Sequence, residues 1–292
     1  MRVGINATFL SEKPTGAGMF TLSVSEALTR KNRDTVIFSP YPFGSLPGEV
    51  FRIVPQSVRG SLRLYRNALL ACYINTALPL LCRRRHRDVL YCPIAEFPFL
   101  PLVPLVVHVH DLHPLRFPQQ FGLASTYFRL SLLFMPHCVS RITVSSSFVK
   151  RELMEVTGLS GDLIDVAPLA YDRDVYFPRG GDERSGFLMK YGLPEKYILC
   201  AGNLFPYKNV PTLIDAFLRI RHLIDHHLVV VGRREYARDP LPADERIHYT
   251  DYVPIGDMPM FYSFADLFVH PSTSEGFGIT PIEAMACGTP VV

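Results

Sequence analysis

The sequence has no CxxC pair, no long unbroken apolar run and no strong charge of either sign. Its six cysteines (72, 82, 92, 138, 200, 287) are scattered, which excludes a disulfide framework and reads as reduced, buried thiols of a cytoplasmic protein. The formal net charge of +3 is too small to argue for nucleic acid. The N-terminus "MRVGINATFL" carries only a short apolar run with no small-residue cleavage site after it, so it reads as a first strand rather than a signal peptide. The most apolar stretch, "NALLACYINTALPLLC" (67–82), is broken by Asn75 and Pro79 and is too short to span a bilayer.

What is present is a globular α/β pattern. Hydrophobic residues make up 48% and charged residues 20% of 292 positions, which excludes wholesale disorder and suits two domains. Short β-branched runs at 2–8, 35–41, 88–93, 105–111 and 141–147 read as buried strands. Helices are expected at 20–30 and 146–158, the second with Ser at its start and Gly at its end. The polar, Pro- and Gly-bearing stretch 171–186 reads as part of a linker. A second βα series follows, with strands at 197–202, 227–232, 246–254 and 266–272, helices at 210–220 and 256–265, and an incipient strand at 289–292. The fold class is therefore α/β, with two Rossmann-like doubly wound domains, 1–175 and 176–292, facing each other across a cleft.

The segment 67–82 is flanked by Arg59, Arg63, Arg66 and "RRRHR" (83–87). Two readings stand: a buried helix pair with a solvated basic end, or a basic face (59–87) that touches anionic lipid headgroups.

The chemistry concentrates in "STSEGFGITPIEAMACGTPVV" (272–292). Glu275 and Glu283 stand with seven residues between them. Thr280 suits a helix N-cap and Pro281 the first helical position, which puts Glu283 third. Thr-x-x-Glu is also a capping box, so spacing alone gives Glu283 a structural alternative. Glu275 has no such alternative: it precedes Gly-Phe-Gly at a strand's carboxyl end, where ligands sit. A glycine loop leading into a helix start offers free N–H groups to a diphosphate.

Four segments in order carry a resemblance: "PTGAGMFTLSVSEAL" (14–28), "VVHVHDLHPLRFP" (106–118), "GNLFPYKNVPTLIDAF" (202–217) and "EGFGITPIEAMACGTPVV" (275–292). Together they resemble the retaining glycosyltransferases of the GT-B fold, in the large family 4 (group 1) class with its Glu-x7-Glu signature. By analogy the pattern leans toward mannosyltransferases of bacterial surface polysaccharides. The resemblance implies transfer of a hexose from a nucleoside diphosphate sugar to a glycan or lipid-linked acceptor. It implies no metal and no cofactor, since the nucleotide sugar is a substrate.

The resemblance also implies roles. Glu275 would hold hydroxyls of the transferred sugar, and Gly276, Phe277, Gly278 and Ile279 would lie along sugar and phosphate. Glu283 would accept from the ribose hydroxyls. Lys208, with Asn203 nearby, would meet the leaving diphosphate. His110 would reach the sugar, and Gly16 and Gly18 the phosphates. An arginine that many relatives carry beside the lysine is replaced by Asn203 and Tyr207 here. Either Lys208 works with less help, or Arg173, Arg233 or Arg234 contributes.

Other readings remain. His108, His110 and Asp111, with His113, could centre a metal-dependent hydrolase. Asp172 and Asp174 have the Asp-x-Asp form of metal-dependent sugar transferases. In the resembled fold the second domain continues with further βα units, so the chain is expected to be truncated through its donor domain, poorly soluble alone, and open to a reading as an inactive remnant or nucleotide-sugar-binding partner.

Overall fold

The short β-branched runs form parallel strands packed between helices. The computed structural model describes residues 1–11, 14, 16–40, 49–52, 63–234, 237 and 240–292. Contacts divide the chain into two units, Met1–Pro168 and Leu169–Val292.

The first unit begins with β1 (Val3–Asn6), all four residues buried, and α1 (Ala17–Lys31). Next come β2 (Thr35–Ser39), β3 (Glu49–Arg52), α2 (Arg63–Asn75) and α3 (Ala77–Arg84). Strands β4 (Val89–Cys92) and β5 (Leu105–Val109) precede two short helices, α4 (His113–Arg116) and α5 (Pro118–Phe121), and the longer α6 (Leu123–Cys138). The unit closes with β6 (Arg141–Val144), α7 (Ser147–Thr157) and β7 (Ile164–Val166). The sheet order is β3-β2-β1-β4-β5-β6-β7, and every pair is parallel. Growth of the sheet reverses direction between β1 and β4, and the crevice at such a reversal is where α/β sheets hold ligands.

Local chemistry explains several boundaries. The Ser146 hydroxyl accepts from the Val149 amide at 3.2 Å, and Gly158 takes φ +69 at the other end of α7, the cap pair expected from the sequence. Helix α1 starts at Ala17, earlier than expected, because Gly16 turns the chain with φ +48. Helices α2 and α3 are a half-buried pair: Leu70, Ile74, Leu78 and Cys82 enter the core, while Leu69 and Leu80 are exposed. Arg59 lies outside the described residues, as do the side chains of Arg63 and Arg66. Cys82, Cys92, Cys200 and Cys287 are buried thiols, Cys138 is half-buried, and Cys72 is exposed.

The second unit contains α8 (Arg184–Tyr191), β8 (Tyr197–Ala201), α9 (Val210–Ile220), β9 (His227–Val231), β10 (Ile247–Thr250), α10 (Met258–Ser263), β11 (Leu267–Phe268) and α11 (Ile279–Ala286). Its parallel sheet runs β10-β9-β8-β11. Its direction reverses between β8 and β11. Residues 290–292 lie beside β11, where the Phe268 amide donates to the Pro290 carbonyl at 2.8 Å and the Val292 amide to the Phe268 carbonyl at 2.9 Å.

Three local readings need correction. The polar stretch at 171–186 is not a free linker, since Tyr176 is buried in one core with Phe187, Tyr197, Phe261 and Phe268. Strand β11 keeps only two residues of the apolar run 266–272. Helix α11 begins at Ile279, because Gly278 adopts φ +78 and turns the chain two residues earlier than expected. Glu283 is consequently the fifth helical residue, and the Thr280 capping box does not form.

Candidate active site

The reversal between β8 and β11 puts two loops side by side. The loop after β8 carries Gly202, Asn203 and Lys208, and the loop after β11 carries His270 and Glu275. They are tied along their length. The Tyr207 carbonyl accepts from the Thr273 amide at 2.9 Å and its hydroxyl at 3.1 Å, and the Asn209 side-chain amide donates to the Pro271 carbonyl at 3.3 Å. Asn209 itself sits at φ +55 between the turn 206–208 and α9, a conformation Asn tolerates better than most residues.

Close backbone approach fixes the first loop from below. Gly232 ends β9 at φ +151, and a Cβ there would lie 1.9 Å from the Gly202 carbonyl oxygen. Only glycine fits. Gly202 in turn leaves room for the Lys208 stem, whose Cε lies 3.7 Å from where a Cβ would be.

Lys208 and Glu275, 67 residues apart, meet with Nζ 2.5 Å from Oε1. The Nε2 of His270 lies 3.0 Å from the same oxygen. Burial alone would raise the Glu275 carboxyl, but contact with His270 and the charge and hydrogen bond of Lys208 outweigh it and hold it down to about 2. Glu275 is therefore a carboxylate at any physiological pH.

Glu283 has the opposite environment. Its Oε2 accepts from the Tyr262 hydroxyl at 3.0 Å, and the Tyr176 hydroxyl also bonds to it. Among the described residues no cation offsets the burial, which pushes the carboxyl up to about 7 in spite of both tyrosines. Gly276, Phe277, Gly278 and Ile279 connect the two glutamates, and the start of α11 carries no side-chain cap. Its first-turn amides are the groups that anions use at helix starts.

The arginines suggested to help Lys208 have these surroundings. Arg234 pairs with Asp251 at 2.9 Å, the Arg233 guanidinium lies over Tyr252 with 5.5 Å to the ring centre, and Arg173 is exposed. Sequence reasoning missed His270, Tyr262 and Tyr176. Only His270 left a signal, standing at the end of the run "DLFVH" that leads into the site.

The first unit holds the other expected residues at the carboxyl edge of its sheet. Phe20 of α1 packs with ring centres 4.5 Å from His108 and 4.7 Å from His110, which joins the glycine loop to the end of β5. The Nε2 of His110 is buried with no partner among the described residues, a polar atom that calls for one. Burial pushes its imidazole down, against the opposing pull of Asp111 and the Pro93 carbonyl, so the ring is neutral. Gly18 has a structural reason: a Cβ there would lie 2.8 Å from the Cβ of Pro14. Gly16 borders open space.

The metal-hydrolase reading is not supported by the geometry. Asp111 turns to the His113 amide at 2.9 Å and its Nδ1 at 3.3 Å, and His108 Nδ1 faces the Thr143 hydroxyl at 2.9 Å. Among the described residues no group of three or more His, Cys, Asp or Glu could hold a metal ion. Asp172 is spent on a turn, accepting from the Asp174 amide at 2.9 Å.

Comparison with known proteins decides the family. The family model described as Glycosyltransferase Family 4 matches residues 14–175, more than half of the chain. The chain belongs to glycosyltransferase family 4. A second model, Glycosyl transferases group 1, matches 190–292, so the two matches coincide with the two βα series. Among relatives, the chain is 35% identical over 161 residues to the O-antigen chain mannosyltransferase B of Escherichia coli, covering 52% of this chain and 42% of that protein. It is 30% identical over 196 residues to the O-antigen chain mannosyltransferase RfbU of Salmonella typhimurium, covering 64% and 50%. The chain thus spans about half the length of the curated relatives it matches. Of solved structures, Anabaena HepE in complex with UDP and glucose matches with a TM-score of 0.72 at 20% identity, covering 100% of this chain and 80% of that one. WaaG, involved in lipopolysaccharide biosynthesis, matches at 0.71 and 15% identity, covering 99% and 80%. The fold is of the GT-B type common to family 4.

Proposed function

We propose that the protein is a retaining hexosyltransferase that uses a nucleoside diphosphate sugar, with mannose the favoured sugar and a surface glycan or lipid-linked glycan the acceptor. The observation that carries this is the Lys208–Glu275 pair at the sheet reversal of the second unit, next to the uncapped start of α11. Breaking a sugar–phosphate bond places negative charge on the diphosphate and positive charge on the anomeric carbon. Lys208 and the helix start stabilise the first, and a carboxylate held ionised at Glu275 suits the second. Glu283 is assigned to the ribose hydroxyls and Asn203 to the diphosphate end. The leaving phosphate takes the acceptor proton on the same face, so no general base is assigned. In the first unit, the partnerless Nε2 of His110 supports a sugar contact. The mannosyltransferase relatives support the sugar, and a structural neighbour that holds UDP and glucose supports the donor class.

The test is a donor screen of GDP- and UDP-linked hexoses by calorimetry and by hydrolysis. Saturable binding of one donor, with GDP-mannose foremost, is expected. Binding without any turnover would favour a nucleotide-sugar-binding partner, and no binding of any donor would overturn the proposal.

We also propose that the protein works at the cytoplasmic membrane face through the basic 59–87 region. Exposed Leu80 stands one turn from exposed Arg83 and Arg84 on α3, and among the described residues no helix is long and apolar enough to cross a membrane. Co-sedimentation with anionic but not neutral phospholipid vesicles is expected, and its absence would remove the assignment.

A further inference from the structure

Two groups approach one oxygen of Glu275: Lys208 donates to Oε1, and the Nε2 of His270 lies 3.0 Å from it with no hydrogen bond of its own among the described residues. In the structure Lys208 is the counter-ion of Glu275. If the proposed function is right, that lysine is also the group a diphosphate claims. A carboxylate whose cation is drawn away in a largely buried site becomes costly to keep ionised, unless another donor stays with it. His270 is the group that stays. Its side chain is 15% exposed, and its place does not depend on Lys208. Its backbone amide donates to the Val292 carbonyl at 2.7 Å. Its ring stacks on Phe268, with centres 6.2 Å apart and planes inclined by 23°. Its Nδ1 lies 3.5 Å from the Thr280 hydroxyl in the first turn of α11. That hydroxyl suits an Nδ1 acceptor, which puts the proton on the otherwise unpartnered Nε2, within 3.0 Å of Glu275 Oε1.

We infer that His270 is a positioning residue that keeps the Glu275 carboxylate aimed at the sugar once Lys208 has passed to the diphosphate. This rests on the glycosyltransferase reading and deepens it. Lys208 then has two partners in turn. In the structure it lies against Glu275 Oε1, and under the proposed function it moves to phosphate. Sugar recognition at Glu275 is thereby coupled to arrival of a diphosphate, and a free hexose has to compete with the lysine.

The test uses the full chain and compares the free nucleoside diphosphate with its sugar conjugate, by calorimetry and steady-state kinetics. His270→Ala is expected to weaken binding of the nucleotide sugar about ten-fold, the loss of one hydrogen bond to a charged group. Affinity for the free nucleoside diphosphate is expected to stay within about two-fold of the original. His270→Gln, which keeps an N–H donor, is expected to recover part of the sugar-dependent loss. Equal loss of both ligands, whether or not the melting temperature falls, would assign His270 to structure and overturn the inference, as would no loss at all. If the unaltered chain binds no nucleotide sugar, the glycosyltransferase reading fails and the inference with it. If it binds one and only the His270 variants fail to discriminate, the inference fails alone.

Discussion

The loop at Glu275 and the helix at Glu283 lie a few residues apart and treat the same functional group in opposite ways. Around Glu275 a lysine and a histidine converge, and the carboxyl falls to about 2. Around Glu283, among the described residues, there are two tyrosines and no cation, and the carboxyl rises to about 7. The difference comes from elements remote in sequence. Lys208 enters from the loop after β8, Tyr262 from α10 and Tyr176 from the segment before α8. One glutamate is a permanent charge, and the other is a hydrogen-bonding group whose charge depends on pH. The first suits the charge that develops at a reacting carbon, and the second a pair of hydroxyls.

The largest expected effect breaks the charged half of this contrast. Glu275→Ala should lower transfer by about a hundred-fold or more, the scale of removing a preorganised electrostatic group, while nucleotide affinity changes far less. Parallel loss of binding and turnover would remove its assignment to the sugar. Lys208→Ala comes next and should weaken nucleoside diphosphate binding by roughly 2 kcal/mol, about thirty-fold. Unchanged binding in calorimetry would take the lysine out of the site.

The third prediction sharpens the other half. The Glu283 carboxyl rises from an ordinary 4.5 to about 7 in the folded chain. Between these values the folded state holds a proton that the unfolded state has lost. Its contribution is therefore complete below about pH 4.5 and declines as pH rises through 7. Glu283→Gln should remove that decline and raise stability at pH 8 by an amount on the order of 2 kcal/mol. Denaturant titrations at pH 5 and pH 8 check it, and identical pH dependence in both proteins would contradict the burial that raises this carboxyl. The smallest effect is expected from Tyr262→Phe. It deletes one hydrogen bond to Glu283 and should cost about 1 kcal/mol, with nucleotide affinity shifting more above pH 7 than below.

Much of the fold was readable because its signals are local. Helix α9 occupies 210–220 as expected, and α7 runs between the Ser146 cap and the Gly158 stop. The errors also have local causes. Gly278 starts α11 before Thr280 can cap it, and Tyr176 carries a polar stretch into a core. Within the site, the glutamates and the lysine stood out through their motifs, and the structure brings Lys208 and Glu275 together. His270, Tyr176 and Tyr262 act through partners met only when distant segments pack. No spacing rule announces them, and the capping box pointed the wrong way for Glu283.

The contact of Gly232 with the Gly202 carbonyl has a consequence for engineering. The loop that presents Lys208 takes its height above the sheet from two strand ends at once. A graft of residues 202–209 into another chain would carry the lysine but leave behind the backbone it leans on, so the lysine would arrive at an altered distance from its carboxylate. Residues 231–233 belong to the same transplantable unit. The boundary of such a module is drawn by an absent methyl group.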